Sequence, residues 1–331
     1  MSISVITRAE ARAGGLSRGT IDGRLRSKQY EALHRGIYLV GRPGSPRDDW
    51  LARMAGHIAR GGPGSAVSHR AAALLGGLEG IEGYPEDLLV PHRSSFRAPP
   101  AIRTRSLLPE EIHVREGLPT TKPERTLSDL AAVLPINSFE VAFESALRSE
   151  DPRRPLEWDV ELWHRIVQSL ATLPRGRRGV GSYQAFLARR GRVCPTGSFA
   201  ETMALQAFRR VGLGRLCRQP MVELVDANGR QIQNWFPDFG DLARGIAFEI
   251  DGVTAHSTAA NLDRDLHRQN WLTNWLVIMR WSAARVLRDP MAVASEAAAR
   301  IANTPCRPGG WTTNGATVRP REGGWTVTLN A

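Results

Sequence analysis

A chain of 331 residues is long enough for two or three domains with substantial cores, and its 42% apolar content is that of an ordinary globular protein. No run of eighteen apolar residues offers a transmembrane helix, and the opening Met-Ser-Ile-Ser-Val-Ile-Thr-Arg holds no apolar stretch long enough for a secretory signal. Cys194, Cys217 and Cys306 are odd in number, far apart and without a C-x-x-C pair, which argues against a disulfide framework or zinc site and for a cytoplasmic protein.

The formal charge of +11 is unevenly placed: +6 over 1–47, −3 over 48–150, +5 over 151–195 and +3 over 196–331. Clustered cations are the electrostatic footprint of a nucleic-acid binder, which gains affinity by releasing condensed counterions. All the basic residues except Lys28 and Lys122 are arginines, an excess that GC-rich coding would also produce.

Residues 7–40 read as helix, turn, helix and hairpin. Thr7 can cap a first helix to about Ala13, Gly14-Gly15-Leu16 makes the turn, and Ser17 caps a second helix to about Ser27. Ile21 and Leu25 face a core with Leu16, so Arg18, Thr20, Arg24 and Arg26 should point outward, as in a helix entering a major groove. Gly19 and Gly23 weaken that helix by about 1 kcal/mol each. Tyr30 to Val40 reads as a β-wing with Arg35 placed to meet a phosphate.

Between 48 and 150, Ser68 precedes an Ala-rich helix (69–78), and Thr120-Thr121-Lys-Pro-Glu124 marks another helix start. On that second helix Arg125 and Asp129, four apart, should pair as architecture. The stretch 3–150, through Ala66-Val-Ser-His69-Arg70-Ala-Ala-Ala-Leu-Leu-Gly-Gly-Leu and Leu118-Pro-Thr-Thr-Lys-Pro-Glu-Arg125-Thr-Leu-Ser-Asp129-Leu-Ala, resembles AbiEi-family antitoxins of type IV toxin–antitoxin systems. That resemblance implies a winged helix-turn-helix that binds operator DNA through Ser17, Arg18, Thr20, Arg24, Arg26 and Arg35, and a toxin partner. A protein-docking surface is the other reading of the same helices.

From 151 to 195 the composition shifts to a basic helical connector: an amphipathic helix with Trp158, Leu162, Trp163 and Ile166, a basic loop at 175–178, and a helix over 182–190.

The remainder is organised by Asn234-Trp-Phe-Pro-Asp238 and Phe248-Glu249-Ile250-Asp251-Gly252. The apolar runs 232–239 and 245–251 flank a Gly/Asp turn and predict a β-hairpin, which a strand near 218–225 should complete as a three-stranded sheet. Alternation puts Glu249 and Asp251 on one face of their strand, with Asp238 across the hairpin. Three converging carboxylates repel one another, and the usual compensation is a hard cation with oxygen ligands, Mg²⁺ or Mn²⁺. Glu201 fits the last position of the capping box Ser198-x-x-Glu201. A helix at about 260–274 carries Asp265 and Arg268 on one face, where they can pair with each other. His256 is either a general acid–base or a loop residue that holds Asp251.

Read together with Asp265-Leu-His-Arg268-Gln-Asn-x-Leu and Val-Ile-Met-Arg280-Trp, residues 196–290 resemble the Vsr-like (very-short-patch-repair) branch of the PD-(D/E)XK endonuclease-like superfamily. The resemblance implies a restriction-endonuclease-like α/β/α core that cleaves duplex DNA. Asp238, Glu249 and Asp251 would be its metal ligands, His256 and Arg268 would join the chemistry, and Glu201 or Asp265 would be accessory acids. Where the superfamily has a water-activating Lys, two residues after the second acid, this chain has Asp251. A nuclease fold that only binds nucleic acid or a partner, as an autoregulator or antitoxin, is the alternative, and RNA is the alternative substrate. The expectation is thus a multidomain α/β chain with no membrane partner: winged helix-turn-helix at 1–47, α+β region at 48–150, connector at 151–195, endonuclease-like domain at 196–306 and a tail at 307–331 that adds a hairpin or hangs loosely.

Overall fold

Apolar side chains at helical or alternating spacing build two units, Met1–Ala146 with Glu161–Arg189, and Leu147–Val160 with Arg190–Ala331. The computed structural model describes residues 4–97, 99–104, 107–148, 158–173, 176–252 and 272–330. The expected connector therefore contributes to both units. The chain is mixed α/β with several separate sheets, and among the described residues no helix is long and apolar enough to cross a membrane.

The first unit opens with β1 (Ser4–Thr7), α1 (Arg8–Ala13), α2 (Arg18–Arg26), β2 (Tyr30–His34) and β3 (Ile37–Val40), the strands forming a sheet in the order β1-β3-β2. Thr7 caps α1 as expected, in a capping box: its hydroxyl accepts from the Glu10 amide and Glu10 accepts from the Thr7 amide. Ala11, Ile21, Tyr30 and Tyr38 form the small core, with Leu16 and Leu25 against it. Next come α3 (Pro46–Gly61), β4 (Ala66–Val67), α4 (His69–Leu75), β5 (Leu88–Pro91), β6 (Ala101–Thr104), β7 (Ile112–Arg115), β8 (Leu118–Thr121) and α5 (Pro123–Leu130). The five strands order as β6-β5-β4-β8-β7. Lys122 occupies the N-cap position of α5 with Pro123 in its first turn, while Thr121 turns its hydroxyl to Thr126 at 2.7 Å. Helices α6 (Ile136–Ala146), α7 (Val160–Thr172) and α8 (Val180–Arg190) complete this part of the chain.

In the second unit, the segment from Arg190 onward carries α9 (Phe199–Arg210), then β9 (Cys217–Arg218), β10 (Met221–Val225), β11 (Gln231–Trp235), β12 (Phe239–Asp241), β13 (Ile246–Asp251) and β14 (Val277–Ser282). It ends with α10 (Ala283–Arg288), α11 (Pro290–Ala302), β15 (Trp311–Thr313), β16 (Ala316–Arg321) and β17 (Gly324–Leu329). The acidic hairpin forms between β12 and β13, so that of the expected first run 232–239 only Phe239 belongs to it, and Gly245, at φ +63°, supplies the left-handed residue of its turn. Its sheet runs β14-β13-β12-β9, four strands, with β14 parallel to β13.

The expected third strand is displaced. Residues 221–225 and 231–235 pair with each other in a second sheet, β11-β10-β17-β16-β15, and only Cys217–Arg218 reaches the acidic hairpin. The reason lies in the C-terminal segment, which is not loose: β17 pairs in parallel with β10 and draws it away. Trp325 fixes the arrangement. Its ring lies where a side chain on Gly240 would collide, 2.5 Å from an ideal Cβ, and its indole N–H donates to the Leu242 carbonyl at 3.0 Å. One face of the acidic sheet packs Phe239, Ile246, Phe248 and Ile250 against α9, α10 and α11. Ala247, on the opposite face, joins the core of the second sheet with Leu272, Trp275 and Leu276. The expected helix at 260–274 lies almost wholly within 253–271, outside the described residues.

Candidate functional site

The acidic residues lie at the C-terminal end of β13. Phe248 and Ile250 enter the helix-side core, so alternation sends Glu249 and Asp251 to the other face. Glu249 is 7% exposed, and the Asp251 side chain is 45% exposed. Asp238 immediately precedes Phe239, which pairs with Phe248, and its Oδ2 accepts from the Ile250 amide at 2.6 Å. That hydrogen bond sets Asp238 beside the strand segment that bears both acids.

Glu201 lies in the first turn of α9, and its cap contacts are formed. The Ser198 hydroxyl accepts from the Glu201 amide, while the Glu201 carboxylate accepts from the Ser198 hydroxyl at 2.9 Å and the Gly197 amide at 2.6 Å. The reciprocal backbone partner is Gly197 rather than the expected Ser198. The same carboxylate faces Asp238, and both acids are nearly buried. Burial pushes the Asp238 pKa well above the ordinary aspartate value; Glu201 and Glu249 push it further, against the Ile250 amide and Gln219. Burial likewise raises Glu201, opposed by the Gly197 amide, Ser198, Arg148 and Gln219.

Two partners of the acids have no assigned role in the sequence reading. Gln219, at φ +47°, donates its side-chain amide to Glu201 at 3.2 Å and its backbone N–H to the Asp238 carbonyl at 2.9 Å. A left-handed glutamine costs about 1–2 kcal/mol and persists only where contacts hold it. No sequence signal marks it. Arg280 pairs in register with Glu249 across β13 and β14. Its guanidinium donates to Asp251 at 3.0 and 2.5 Å and stands 3.3 Å from Glu249. A signal for it existed: it is the one charged residue in the apolar strand 276–281.

Among the described residues no group of three His, Cys, Asp or Glu side chains is drawn together closely enough to hold a metal ion. The donor set itself suits a hard cation: Glu201, Asp238 and Glu249 are oxygen ligands whose charges disfavour one another, with Asp251 adjacent. Arg280 is a counter-charge to Glu249 and Asp251, and Arg148 is one to Glu201. His256, Asp265 and Arg268 lie outside the described residues.

In the first unit Ser17 is the N-cap of α2: its hydroxyl accepts from the Thr20 amide at 3.1 Å and shares a hydrogen bond with the Thr20 hydroxyl. Both residues are exposed, as are Arg26 and Arg35, the latter at the β2–β3 turn, and the Arg18 side chain is 82% exposed. Arg24 does not point outward. It donates to the Tyr30 hydroxyl at 2.6 Å and lies over that ring at 5.2 Å, because its position on α2 faces the first residue of β2.

Two histidine features complete the polar inventory of this unit. His69 is buried at φ +48° with Nδ1 2.9 Å from the Ser68 hydroxyl, and burial lowers its pKa. A chain unforeseen from sequence links His34 Nε2 to His57 Nδ1 at 2.8 Å and His57 Nε2 to Glu86 at 2.9 Å. Its members stand 23 and 29 residues apart, so no local pattern marks them.

No protein-family model matches this chain, and no curated protein matches it.

Proposed function

We propose that this chain is a DNA-binding protein whose acidic site is that of a divalent-metal-dependent endonuclease of Vsr-like type. The observation that carries the reading is Asp238, held by the Ile250 amide next to the strand that bears Glu249 and Asp251, with the charges of buried Glu201 and Glu249 both raising its pKa. Burying like charges is costly, and a fold that retains them is using them. Asp238 and Glu249 would hold Mg²⁺ or Mn²⁺, with Glu201 and Asp251 assisting. Such a cation supplies Lewis-acid stabilisation of a phosphodiester and a nucleophile at neutral pH. The chain's own groups prepare the site: the Ile250 amide orients Asp238, Gln219 ties Glu201 to the Asp238 backbone, and Arg280 aligns Glu249 with Asp251. The parallel β13–β14 pair backed by α9 supports a restriction-endonuclease-like core. His256 and Arg268 carry the roles that the resemblance implies.

The N-terminal elements support a winged helix-turn-helix: two short helices joined at Gly14–Leu16, then a hairpin with Arg35 at its tip. Arg18, Arg26 and Arg35 would meet phosphate or base edges, and Ser17 and Thr20 would act at the N-terminus of α2. Arg18→Ala and Arg35→Ala are each expected to weaken duplex binding and to lower the slope of log K against log salt by about one. Fluorescence anisotropy over a salt series measures this; Arg24→Ala should act through the loss of its contact with Tyr30, leaving the slope unchanged.

The test of the nuclease reading is cleavage of plasmid and mismatched duplex with Mg²⁺ or Mn²⁺. Glu249→Ala is expected to lower the rate by at least about 10³-fold, with Asp251→Asn lowering it as well. One observation favours a second reading, a non-catalytic autoregulator or antitoxin with a toxin partner: Arg280 already pairs with both Glu249 and Asp251. Metal-independent DNA binding, undiminished in both variants and without cleavage, would support it.

A further inference from the structure

A cavity of about 380 Å³ lies beside α5 and α7 in the first unit, far in sequence from the acidic hairpin. Glu124 and Ser128 of α5 line it, four residues apart and so on one helix face. Ser128 is 5% exposed, and neither its hydroxyl nor Glu124 Oε2, both buried, has a hydrogen-bond partner among the described residues. Buried polar atoms of this kind normally are paired, and each one left without a partner costs about what a lost hydrogen bond does. Two of them on one wall of a cavity mark a place built for a ligand's donors.

The charges decide the ligand's sign. Arg125, also on the wall, is balanced by Glu111, at 2.9 Å to both carboxylate oxygens, and by Asp129 at 3.1 Å. An anion would therefore have to displace carboxylates. Arg165 of α7 approaches Glu124 Oε2 only to 3.7 Å, so that oxygen has a cation near it but no donor on it. Glu110 and Glu111 add negative charge at the lining, while Leu108 and Leu173 give it apolar surface.

We propose that this cavity binds a small organic cation: an amidinium, guanidinium or ammonium head on an apolar body. The head donates to Glu124 Oε2 and to the Ser128 hydroxyl, and the body lies against Leu108 and Leu173. The volume is within the range of small-molecule sites. The inference does not depend on the nuclease reading.

Thermal unfolding of the full chain tests it, with benzamidine as the probe and benzoate, its anionic isostere, as the control. A ligand that binds only the folded state raises Tm in proportion to ln(1 + [L]/Kd). Benzamidine is expected to give a saturable rise and benzoate none. Glu124→Gln should weaken benzamidine by about tenfold or more, the loss of one charge-assisted hydrogen bond. Thr172→Trp, at the exposed end of α7 and lining the cavity, should leave the unliganded Tm in place and reduce the benzamidine shift. The proposal is overturned by no benzamidine shift in the wild type, by an equal benzoate shift, or by a benzamidine shift unchanged in both variants.

Discussion

Asp238→Asn is expected to stabilise the chain at about pH 8 in the absence of divalent cations, while removing any metal-dependent activity. The wild-type carboxyl is buried beside Glu201 and Glu249, and its folded-state pKa lies well above the ordinary value. The folded state therefore keeps a proton that the unfolded state, with a pKa near 3.9, has released. Stability is full below the unfolded value and falls as pH rises toward the folded one, by about 1.4 kcal/mol per pH unit for each such group. Glu201 is shifted in the same direction and adds to the slope. An asparagine has no charge to bury, and its carbonyl can still accept from the Ile250 amide. The gain should be about 1–3 kcal/mol near pH 8, with a shallower decline from about pH 5 upward. Urea unfolding in EDTA across that range measures both quantities. Loss of stability, with the wild-type pH slope retained, would show that Asp238 is ionised at no cost. Mg²⁺ should then restore stability to the wild type and not to the variant, a readout of metal binding that needs no substrate.

That expectation rests on contacts only partly legible in the sequence. The alternation Phe248-Glu249-Ile250-Asp251 reveals which face each side chain takes, because strand periodicity is local. The position of Asp238 follows from the hairpin turn. Capping at Thr7 and Ser17, the α2 core positions and the Arg125–Asp129 pair are legible for the same reason, since each depends on neighbours within about one turn. Partnerships across the chain are not. Arg24 sits on the polar side of α2 by spacing alone, yet Tyr30 claims it after the chain turns back. Residues 221–225 have the composition of a strand, but their sheet is chosen by β17, a hundred residues later. Arg280 and Gln219 become partners of the acids only when β13 meets β14 and the loop before β10 closes on α9.

A larger loss is expected at a place the sequence reading assigns to architecture. Asp129→Ala should cost about 3–5 kcal/mol, a large share of the roughly 5–15 kcal/mol that holds a domain folded. The Asp129 side chain is 3% exposed and accepts from Arg125 Nε at 3.1 and 3.2 Å and from Arg177 at 2.5 Å. Arg125 is 4% exposed and leans on Glu111 as well, but the Arg177 pKa is already lowered, first by burial and then partly by Arg125. Alanine leaves two desolvated guanidinium groups facing each other, with Glu111 as the carboxylate between them and an uncompensated charge. The cost arises from that orphaned charge rather than from the pair's net worth, so a compensated change should behave differently. Asp129→Leu combined with Arg177→Met removes one charge of each sign and should recover a good part of the loss. Asp22→Ala gives the scale for exposed pairs: Asp22 meets Arg8 at 3.3 Å and Arg18 at 3.9 Å, the side chains of Arg8, Arg18 and Asp22 being 41%, 82% and 45% exposed, and about 0.5–1 kcal/mol is expected there. Urea denaturation of the three variants decides the matter. An Asp129→Ala loss no larger than that of Asp22→Ala, or a double variant as unstable as the single one, would mean that water reaches the buried network and screens it.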